Sequence, residues 1–298
     1  MRLELEITLK NVRTCPVVTF NHQQFNMKPP RLKSILLTLI VLFVLFYLTG
    51  VVIHSQRDVQ IFKTSNSPEA PLTIAIFGAS GTAGDGILKA ALASPNIGKI
   101  HVITRRTTPR IDEGVGSGKI ELAIHMDYLD YSDVVNKMTG VDAVYWAIGI
   151  NSLGADKKTY RMVHVDFPMK FVAAWTKINN KFNTSFHFIS SSDISEDSTT
   201  MWIREKIRAE NSLFTFAKKN SLRVIAYRPD YIGPTKERSR FDKDMLYWFF
   251  RPVGAAVRAT QIGNAMIEVT IRGQEFQNGT KLSTKKIVAL SDTYERRS

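Results

Sequence analysis

The sequence predicts an α/β protein built on a doubly wound parallel sheet and preceded by one N-terminal transmembrane helix. Short apolar runs rich in β-branched residues alternate with segments of helical periodicity, which is typical of βαβ units. One long uncharged apolar stretch stands ahead of them. The chain has 298 residues, 44% of them hydrophobic, which is enough for one large α/β domain.

The apolar stretch covers residues 34–53 and reads SILLTLIVLFVLFYLTGVVI. At about 1.5 Å per residue a helix of this length spans the roughly 30 Å hydrocarbon core of a bilayer. A buried core helix usually keeps a polar stripe, and a cleaved signal has a shorter apolar region of about 7–15 residues. We therefore predict a tail over residues 1–33, a transmembrane helix over 34–53, a linker over 54–71 and a folded domain with a small C-terminal lobe over 72–298.

The charges that flank the apolar stretch bear on its orientation. Lys28, Arg31 and Lys33 precede it, whereas Arg57 and Lys63 follow. The positive-inside rule then favours a cytosolic tail and a domain in the lumen of the endoplasmic reticulum or a related compartment. The cytosolic and mitochondrial faces remain alternatives. Two N-glycosylation sequons, at Asn183 and Asn278, are compatible with the lumenal orientation.

Composition argues against several classes of site and partner. Cys15 is the only cysteine, so the chain itself forms no disulfide and no cysteine-based metal site. The six histidines show no metal-ligand spacing, and we predict no metal. The net charge of +13 is spread over scattered basic pairs without interleaved stacking aromatics, which predicts no nucleic-acid partner. Near a membrane such a basic surface favours anionic lipid headgroups.

The domain begins with a regular alternation of predicted strands and helices. Near-continuous apolar runs, as in LTIAIF, are typical of strands that are buried on both faces of a parallel sheet. The predicted strands cover residues 72–77, 99–104, 120–126, 142–148, 185–190 and 222–228. Helical patterns cover residues 85–94, 131–138, 160–178 and 201–219.

A glycine-rich loop joins the first predicted strand to the first predicted helix. Gly78, Gly81 and Gly84 stand three residues apart in GASGTAG, at the β–α junction that a dinucleotide phosphate loop requires. The first glycine would allow the tight turn, the second the approach of a pyrophosphate, and the third close packing of helix on strand. The alternative is a glycine-rich corner without a ligand. The predicted cofactor contacts in this loop are Gly78, Ser80, Gly81, Thr82, Ala83 and Gly84.

The end of the second predicted strand bears on the choice of cofactor. NAD-binding folds commonly place an acid there for the ribose 2′-hydroxyl, whereas arginine accommodates a 2′-phosphate. This chain has Arg105 and Arg106 and no acid until Asp112. A guanidinium matches phosphate in charge and geometry, so NADP(H) is predicted and NAD(H) is the less favoured alternative. The alternative is a pair of surface arginines at a strand end without a ligand.

The stretch GASGTAGDGILKAALASPNIGKIHVITRR resembles the opening of the short-chain dehydrogenase/reductase superfamily. It is most similar to the atypical branch of Tat-interacting-protein-like oxidoreductases and their fungal mitochondrial relatives. The resemblance covers about residues 72–295 and implies a Rossmann-type fold. It implies that Asp127 lies near the adenine, that Ala147 and Gly149 run beside the cofactor, and that Pro229 lies near the nicotinamide.

The resemblance also implies a catalytic Tyr-x-x-x-Lys pair on a helix and a serine after the preceding strand. A tyrosine next to a cation can exchange a proton with the substrate oxygen while hydride moves. In this chain Lys206 occupies the lysine position, where the resemblance implies that it also bonds the nicotinamide ribose of the cofactor, and Trp202 occupies the tyrosine position. A solvated helix lysine is the alternative interpretation of Lys206. Indole is a donor that does not ionise at usable pH, so it cannot replace the phenol. The serine candidates are Ser190, Ser191 and Ser192, and Ser191 and Ser192 with Lys206 are the predicted catalytic residues.

Two functions remain open on the sequence. One is a membrane-anchored NADP-dependent oxidoreductase or epimerase acting on a small or lipid-like carbonyl or hydroxyl compound. No spacing requires Tyr227 or Tyr231 to be recruited as its acid, and the simpler interpretation is that Trp202 packs against the nicotinamide side while Lys206 holds the ribose. The other is a cofactor-binding protein without turnover, whose bound state is read by a protein partner; Trp202 favours it. A purely structural membrane protein does not explain the glycine loop. The aromatic run 247–250 (YWFF) predicts core packing, a substrate wall or a contact with the membrane surface.

Overall fold

The computed structural model of the protein describes residues 32–55, 62–63, 68–179 and 181–297. Most of the predicted tail and most of the predicted linker lie outside the described residues. The chain divides after Phe46 into two compact units, and the second of them contains the α/β domain.

The first described helix, α1 (Leu32–Ser55), covers the whole predicted transmembrane segment. Among the described residues, Lys33–Ser55 is the one helix long and apolar enough to cross a membrane, by length and composition alone. A signal sequence and the core helix of a soluble protein meet the same criteria. Residues 47–55, the last turns of α1, belong to the same compact unit as the α/β domain.

The centre of the domain is a parallel sheet of seven strands in the order β3-β2-β1-β4-β5-β6-β9. Every pair of neighbouring strands in it is parallel. The strand order runs from β1 through β2 to β3 on one side, and from β1 through β4 to β9 on the other. The fold class predicted from the sequence is therefore confirmed. The strands are β1 (Leu72–Phe77), β2 (Ile97–Thr104), β3 (Ile120–Ile124), β4 (Ala143–Trp146), β5 (Ser185–Ile189), β6 (Arg223–Arg228) and β9 (Thr280–Ser283).

Helices cover both faces of this sheet, and a second parallel pair, β7 (Tyr231–Gly233) and β8 (Ala256–Arg258), stands apart from it. We call residues 231–258, which contain this strand pair and the helix between its strands, the C-terminal lobe. The helices are α2 (Thr82–Ala93), α3 (Pro109–Gly116), α4 (Lys157–Arg161), α5 (Phe167–Ile178), α6 (Met201–Lys219), α7 (Phe241–Phe250), α8 (Ala259–Arg272) and α9 (Thr284–Arg297).

Strand β1 shows why these apolar runs form a two-sided core. Successive side chains of a strand point to opposite faces. Accordingly Ile74 and Ile76 pack in one buried cluster with residues of α2 and α8, whereas Ala75 and Phe77 pack in another with residues of α5 and α6. All four side chains are fully buried. The prediction of strands buried on both faces is confirmed.

Two elements differ from the sequence prediction. The segment 131–138 forms turns and a short 3-10 helix, Val135–Met138, in place of the predicted helix, and Gly140 with its positive φ lies two residues beyond it. Strand β9 was absent from the predicted set. It lies at the edge of the sheet, and its sequence TKLS has one buried side chain, so it lacks the apolar run that marks the other strands.

Helices α2 and α8 pack closely on each other, with glycines at the points of contact. A methyl group added at Gly86 would overlap the backbone of α8, with Thr260 N only 2.7 Å away. One at Gly263 would lie 2.7 Å from the Ala90 Cβ. Further along, α9 is tied to the end of α2 by a buried hydrogen bond of 2.6 Å from the Tyr294 hydroxyl to Ser94 Oγ.

We predict that Gly86→Ala destabilises the domain, because the new methyl group must displace the α8 backbone. Overpacking of this kind costs about 1–3 kcal/mol. Gly116→Ala is the matched control, since a Cβ there meets nothing within 4 Å among the described residues. Urea unfolding of the full chain in detergent should show the loss for Gly86→Ala alone. Equal stability of the two variants would contradict the close α2–α8 contact.

Candidate functional site

The loop after β1 has the backbone geometry that its glycines predict. Gly78 has φ of +79°, and an added Cβ would lie 2.7 Å from the Ala147 carbonyl carbon. An added Cβ at Gly84 would lie 2.6 Å from the Gly78 carbonyl carbon. Neither position can hold a side chain without displacing backbone. These two glycines therefore bring the loop against the end of β4 and bring α2 against β1.

Gly81 has a different environment from its neighbours. An added Cβ there would meet a single described atom, the Gly78 carbonyl oxygen, at 3.3 Å. Gly81 is the residue before the first turn of α2, and no described side chain caps that helix end. The free amide groups of a helix N-terminus attract anions. This end of α2 therefore fits a pyrophosphate on geometry and charge.

A crevice of about 470 Å³ opens above this loop, at the carboxyl ends of β1, β2 and β4. Strand β2 lies on one side of β1 and β4 lies on the other, so the strand order reverses at β1. Open α/β sheets bind ligands at such switch points. The crevice is lined by Gly78, Ser80, Gly81, Thr104, Arg105, Arg106, Tyr128, Ala147, Ile148, Gly149, Ile150, Thr159, Met162, Val163 and Phe167. Thr82, Ala83 and Gly84 form the first turn of α2 just behind the loop.

The β2 end of the crevice carries the predicted arginine pair. Arg105 and Arg106 are exposed and line the crevice. The Thr104 hydroxyl donates to the Arg106 carbonyl at 2.9 Å, which fixes the turn that carries them. Asp127 is exposed and its carboxylate accepts from the Leu129 amide at 2.9 Å, while the neighbouring Tyr128 lines the crevice.

The helical segment between β4 and β5 is interrupted beside the crevice. A π-helical turn, Met162–Asp166, separates α4 from α5, and the Phe167 amide donates to the Met162 carbonyl five residues back. Pro168 explains the interruption, because it has no N–H for the carbonyl four residues earlier. Such turns are frequent at functional sites. The sequence pattern predicted one helix over residues 160–178, although the triplet Asp166-Phe167-Pro168 is a signal for an interruption.

His164 lies in this turn and contacts the loop after β4. Its Nε2 is 3.3 Å from the Ile150 carbonyl oxygen, and its ring would be 3.0 Å from a Cβ at Gly149. Its Nδ1 is buried with no partner among the described residues. Burial, together with the positive charge of Lys206, lowers the pKa of His164 to about 3. The imidazole is therefore neutral, and the sequence analysis did not single it out.

Lys206 is buried rather than solvated. Its Nζ donates to the Ile189 carbonyl at 3.3 Å and lies 5.5 Å from the centroid of the Phe188 ring. Burial lowers the pKa of Lys206 to about 8, against the opposing effect of the Glu210 carboxylate. The interpretation of a solvated surface lysine is therefore wrong. An amine that titrates near neutral pH and sits at the end of β5 is a candidate for proton exchange.

The serine run follows β5 at the same edge of the sheet. Ser190 is buried, and its Oγ has no partner among the described residues. Ser191 and Ser192 are half-buried, and the Ser192 amide donates to the Pro229 carbonyl at 3.2 Å. The serines and Pro229 thus lie at neighbouring strand ends, and Lys206 Nζ bonds at the end of β5. None of these residues is among those that line the crevice. Ser190 Oγ and His164 Nδ1 are each buried without a partner among the described residues, so each could pair with a polar ligand.

The phenol that is missing at position 202 is not replaced by Tyr227, Tyr231 or Tyr160. Trp202 lies on the first turn of α6, one turn before Lys206 and half-buried. Tyr227 is fully buried and its hydroxyl is 2.9 Å from His187 Nδ1, which places it in the core instead of the crevice. The Tyr231 hydroxyl donates to the Lys243 carbonyl at 3.0 Å. The Tyr160 ring is tilted against the His164 ring with 4.2 Å between centroids, but burial raises the pKa of Tyr160 to about 12.

A further cation lies on the outer side of the glycine loop. Arg238 donates from one guanidinium nitrogen to the Ser80 and Gly81 carbonyls, at 3.0 and 3.3 Å. The adjoining Glu237 pairs with Arg110 at 3.2 Å. The buried Asp85 of α2 accepts from the Thr235 hydroxyl at 2.7 Å. The segment 235–238 is thereby held against α2, a contact that no spacing in the sequence indicates.

We predict that the stability of the protein depends on pH through Lys206. Below pH 8 the folded chain holds a buried ammonium group that is solvated after unfolding, which lowers stability. Between about pH 8 and the ordinary lysine pKa of 10.5 the unfolded chain binds more protons, so stability rises with pH. Lys206→Met should therefore exceed the wild type by about 1–3 kcal/mol at pH 7, and the difference should vanish near pH 10.5.

Urea unfolding of the cofactor-free full chain in detergent, from pH 7 to 10.5, measures this effect. Lys219→Met is the control, because Lys219 is exposed on the same helix. Its difference from the wild type should stay flat with pH. A flat difference for Lys206→Met as well would contradict the lowered pKa.

Comparisons with known proteins were made on the sequence and on the fold. No protein-family model matches the chain. A curated relative, leucinostatins biosynthesis cluster protein T of Purpureocillium lilacinum, is 31% identical over 147 residues, which is 49% of this chain and 52% of that protein. The chain thus matches about half the length of this relative.

Solved structures resemble the α/β domain over most of its length. The 3-oxoacyl-[acyl-carrier protein] reductase of Brucella melitensis, in complex with NAD, has a TM-score of 0.55 at 15% identity, covering 75% of this chain and 99% of that one. BdcA in complex with NADPH has a TM-score of 0.55 at 13% identity, covering 72% and 93%. The chain therefore has the Rossmann-type fold of solved short-chain dehydrogenases/reductases.

Proposed function

We propose that this protein is a membrane-anchored oxidoreductase of the short-chain dehydrogenase/reductase type that binds NADP(H). Its substrate would be a small or lipid-like carbonyl or hydroxyl compound. The observation that carries the proposal is the crevice at the switch point of the sheet, which unites the glycine loop, the arginine pair and residues 147–150. The apolar helix α1 supports the membrane anchor.

Each part of the crevice suits a different part of the dinucleotide. The loop around Gly81 and the N-terminus of α2 would hold the pyrophosphate. Arg105 and Arg106 would hold the 2′-phosphate, and Ala147 and Gly149 would line the nicotinamide half. The bound cofactor would supply or accept hydride. Structures with this fold bind NAD in one case and NADPH in another, so the arginine pair is the argument for NADP(H).

The chain itself must manage the proton that accompanies hydride transfer. Without a tyrosine at position 202, the group that titrates closest to neutral pH among the described site residues is the Lys206 amine. We assign the proton to Lys206 Nζ, with the buried Ser190 hydroxyl as the neighbouring group that can orient a carbonyl oxygen. The curated relative carries the name of a biosynthesis cluster, which is in keeping with a biosynthetic reduction or oxidation.

A second candidate function is dinucleotide binding without turnover, read by a protein partner. Trp202 favours this function, because its indole fills the place of the phenol one turn before Lys206. The fold and the crevice support both candidates equally. Turnover of a substrate is what separates them.

We predict that the full chain in detergent binds NADPH more tightly than NADH. Arg105→Ala should weaken NADPH binding about 10–100-fold and leave NADH binding nearly unchanged, because a charge-assisted bond to phosphate contributes about 1.5–3 kcal/mol. Titration of each dinucleotide by fluorescence measures both affinities. Lys218→Ala, which removes an exposed cation from α6, is the control. Equal affinity for the two cofactors would refute the role of the arginine pair, and binding of neither would refute the proposed function.

We predict that Trp202→Tyr raises turnover in the NADPH-dependent reduction of a panel of aldehydes and ketones by about tenfold or more, since a positioned general acid contributes about 10²–10⁴-fold. Trp202→Phe, which removes the indole without adding a phenol, should give no gain. Clear wild-type turnover would rule out the binding-only function. No gain with Trp202→Tyr would mean that position 202 does not face the substrate.

A further inference from the structure

The last turns of α1 pack directly on the C-terminal lobe. The Tyr47 ring stacks on Phe249 with 5.1 Å between centroids, and its hydroxyl donates to the Phe249 carbonyl at 2.8 Å. A Cβ at Gly50 would lie 3.3 Å from Val253. The His54 ring occupies the space that a side chain at Gly254 would need. The lobe thus adjoins the point where the apolar run of α1 ends, at Ile53.

The helix of the lobe, α7, turns an apolar side outward. Its Tyr247 faces inward under the Arg258 guanidinium, 3.7 Å from the ring centroid. Several large neighbours on α7 stay exposed, which soluble surfaces rarely allow in one patch. These residues, which we call the α7 face, are Phe241, Met245, Leu246, Trp248 and Phe249. Aromatic residues are enriched at the level of lipid headgroups.

A second cavity, of about 260 Å³, opens between the end of α1, the lobe and α9. None of its lining residues lines the dinucleotide crevice. At about 30 Å³ per water molecule, it has room for a group of the size of phosphoethanolamine. Its charged lining residues are Arg251, Lys285 and Asp292. The Arg251 guanidinium also lies 5.4 Å from the centroid of the Trp248 ring, so the cavity borders the α7 face.

The charges of the cavity select among ligands. Two cations attract a phosphate. The Asp292 carboxylate opposes a doubly charged phosphate monoester and suits a ligand that also carries an ammonium group. Burial raises the pKa of Asp292, and the nearby Arg296 and Arg251 act against that rise. A small water-soluble metabolite would not contact the adjoining apolar face, whereas the acyl chains of a lipid would pack against it.

We propose that this cavity binds the headgroup of phosphatidylethanolamine, with its phosphate between Arg251 and Lys285, its ammonium group at Asp292 and its acyl chains along the α7 face. The proposal rests on the membrane anchor in the proposed function, because the cavity lies at the end of the apolar helix. It assigns a lipid site that is separate from the dinucleotide crevice. The lobe would then contact the bilayer through a bound lipid as well as through α1.

Native mass spectrometry of the full chain in mild detergent tests the site, with phosphatidylethanolamine, phosphatidylcholine and phosphatidic acid added in turn. We expect the wild type to retain phosphatidylethanolamine about tenfold better than phosphatidylcholine, because the trimethylammonium group cannot donate to Asp292. Arg251→Gln should lose all three lipids. Asp292→Asn should lower phosphatidylethanolamine to the level of phosphatidylcholine and spare phosphatidic acid.

Arg240→Gln is the matched control, since Arg240 is an exposed cation at the start of α7 outside the cavity lining. It should behave as the wild type, and thermal melting should show that every variant folds. Equal retention of phosphatidylethanolamine and phosphatidylcholine, or retention by Arg251→Gln, would overturn the site. Equally tight binding of soluble glycerophosphoethanolamine would overturn the membrane lipid as its occupant. Alkaline carbonate extraction of membranes tests the anchor separately, because a released chain would refute α1 as an anchor whatever the lipid result.

Discussion

The close approach of the first β–α turn to its neighbouring backbone is the constraint on which the rest of the site depends. Gly78 can adopt its positive φ and leave the Ala147 carbonyl in place only without a side chain. Gly84 similarly lets α2 lie on β1. With both contacts made, the N-terminus of α2 and the loop after β4 face each other across one crevice. A bulkier loop would separate them and leave no common place for a dinucleotide.

In the second half of the site, around His164 and Lys206, burial acts on the protonation state of the side chains. The interruption of the helix before Pro168 places the neutral His164 under the loop after β4. Lys206 is buried against the Phe188 ring and the Ile189 carbonyl, and its charge contributes to the low pKa of the imidazole. Burial disfavours its ammonium form and brings its pKa to about 8. The amine is thus the candidate for acid–base chemistry on α6, a helix that has no tyrosine.

The sequence predicted the fold well because the sheet is buried on both faces, which leaves a run such as LTIAIF no other stable place. It also predicted the glycine loop and the arginine pair, since both follow strand ends at fixed offsets. It missed β9, whose TKLS sequence pairs by backbone at an edge, and it missed His164 and Arg238. Those two residues reach the site through a helix interruption and a distant loop, and neither leaves a local pattern. The assigned roles of the site residues stay predictions.

The hydrogen bond between Tyr294 and Ser94 joins two residues that are 200 positions apart in the chain. The last described helix can therefore pack on the end of α2 only after nearly all of the domain has been synthesised. Contacts so distant in sequence form late, because the intervening chain must first be brought together. We expect an unfinished chain to leave the α9 side of α8 exposed, and exposed apolar surface of this kind favours aggregation.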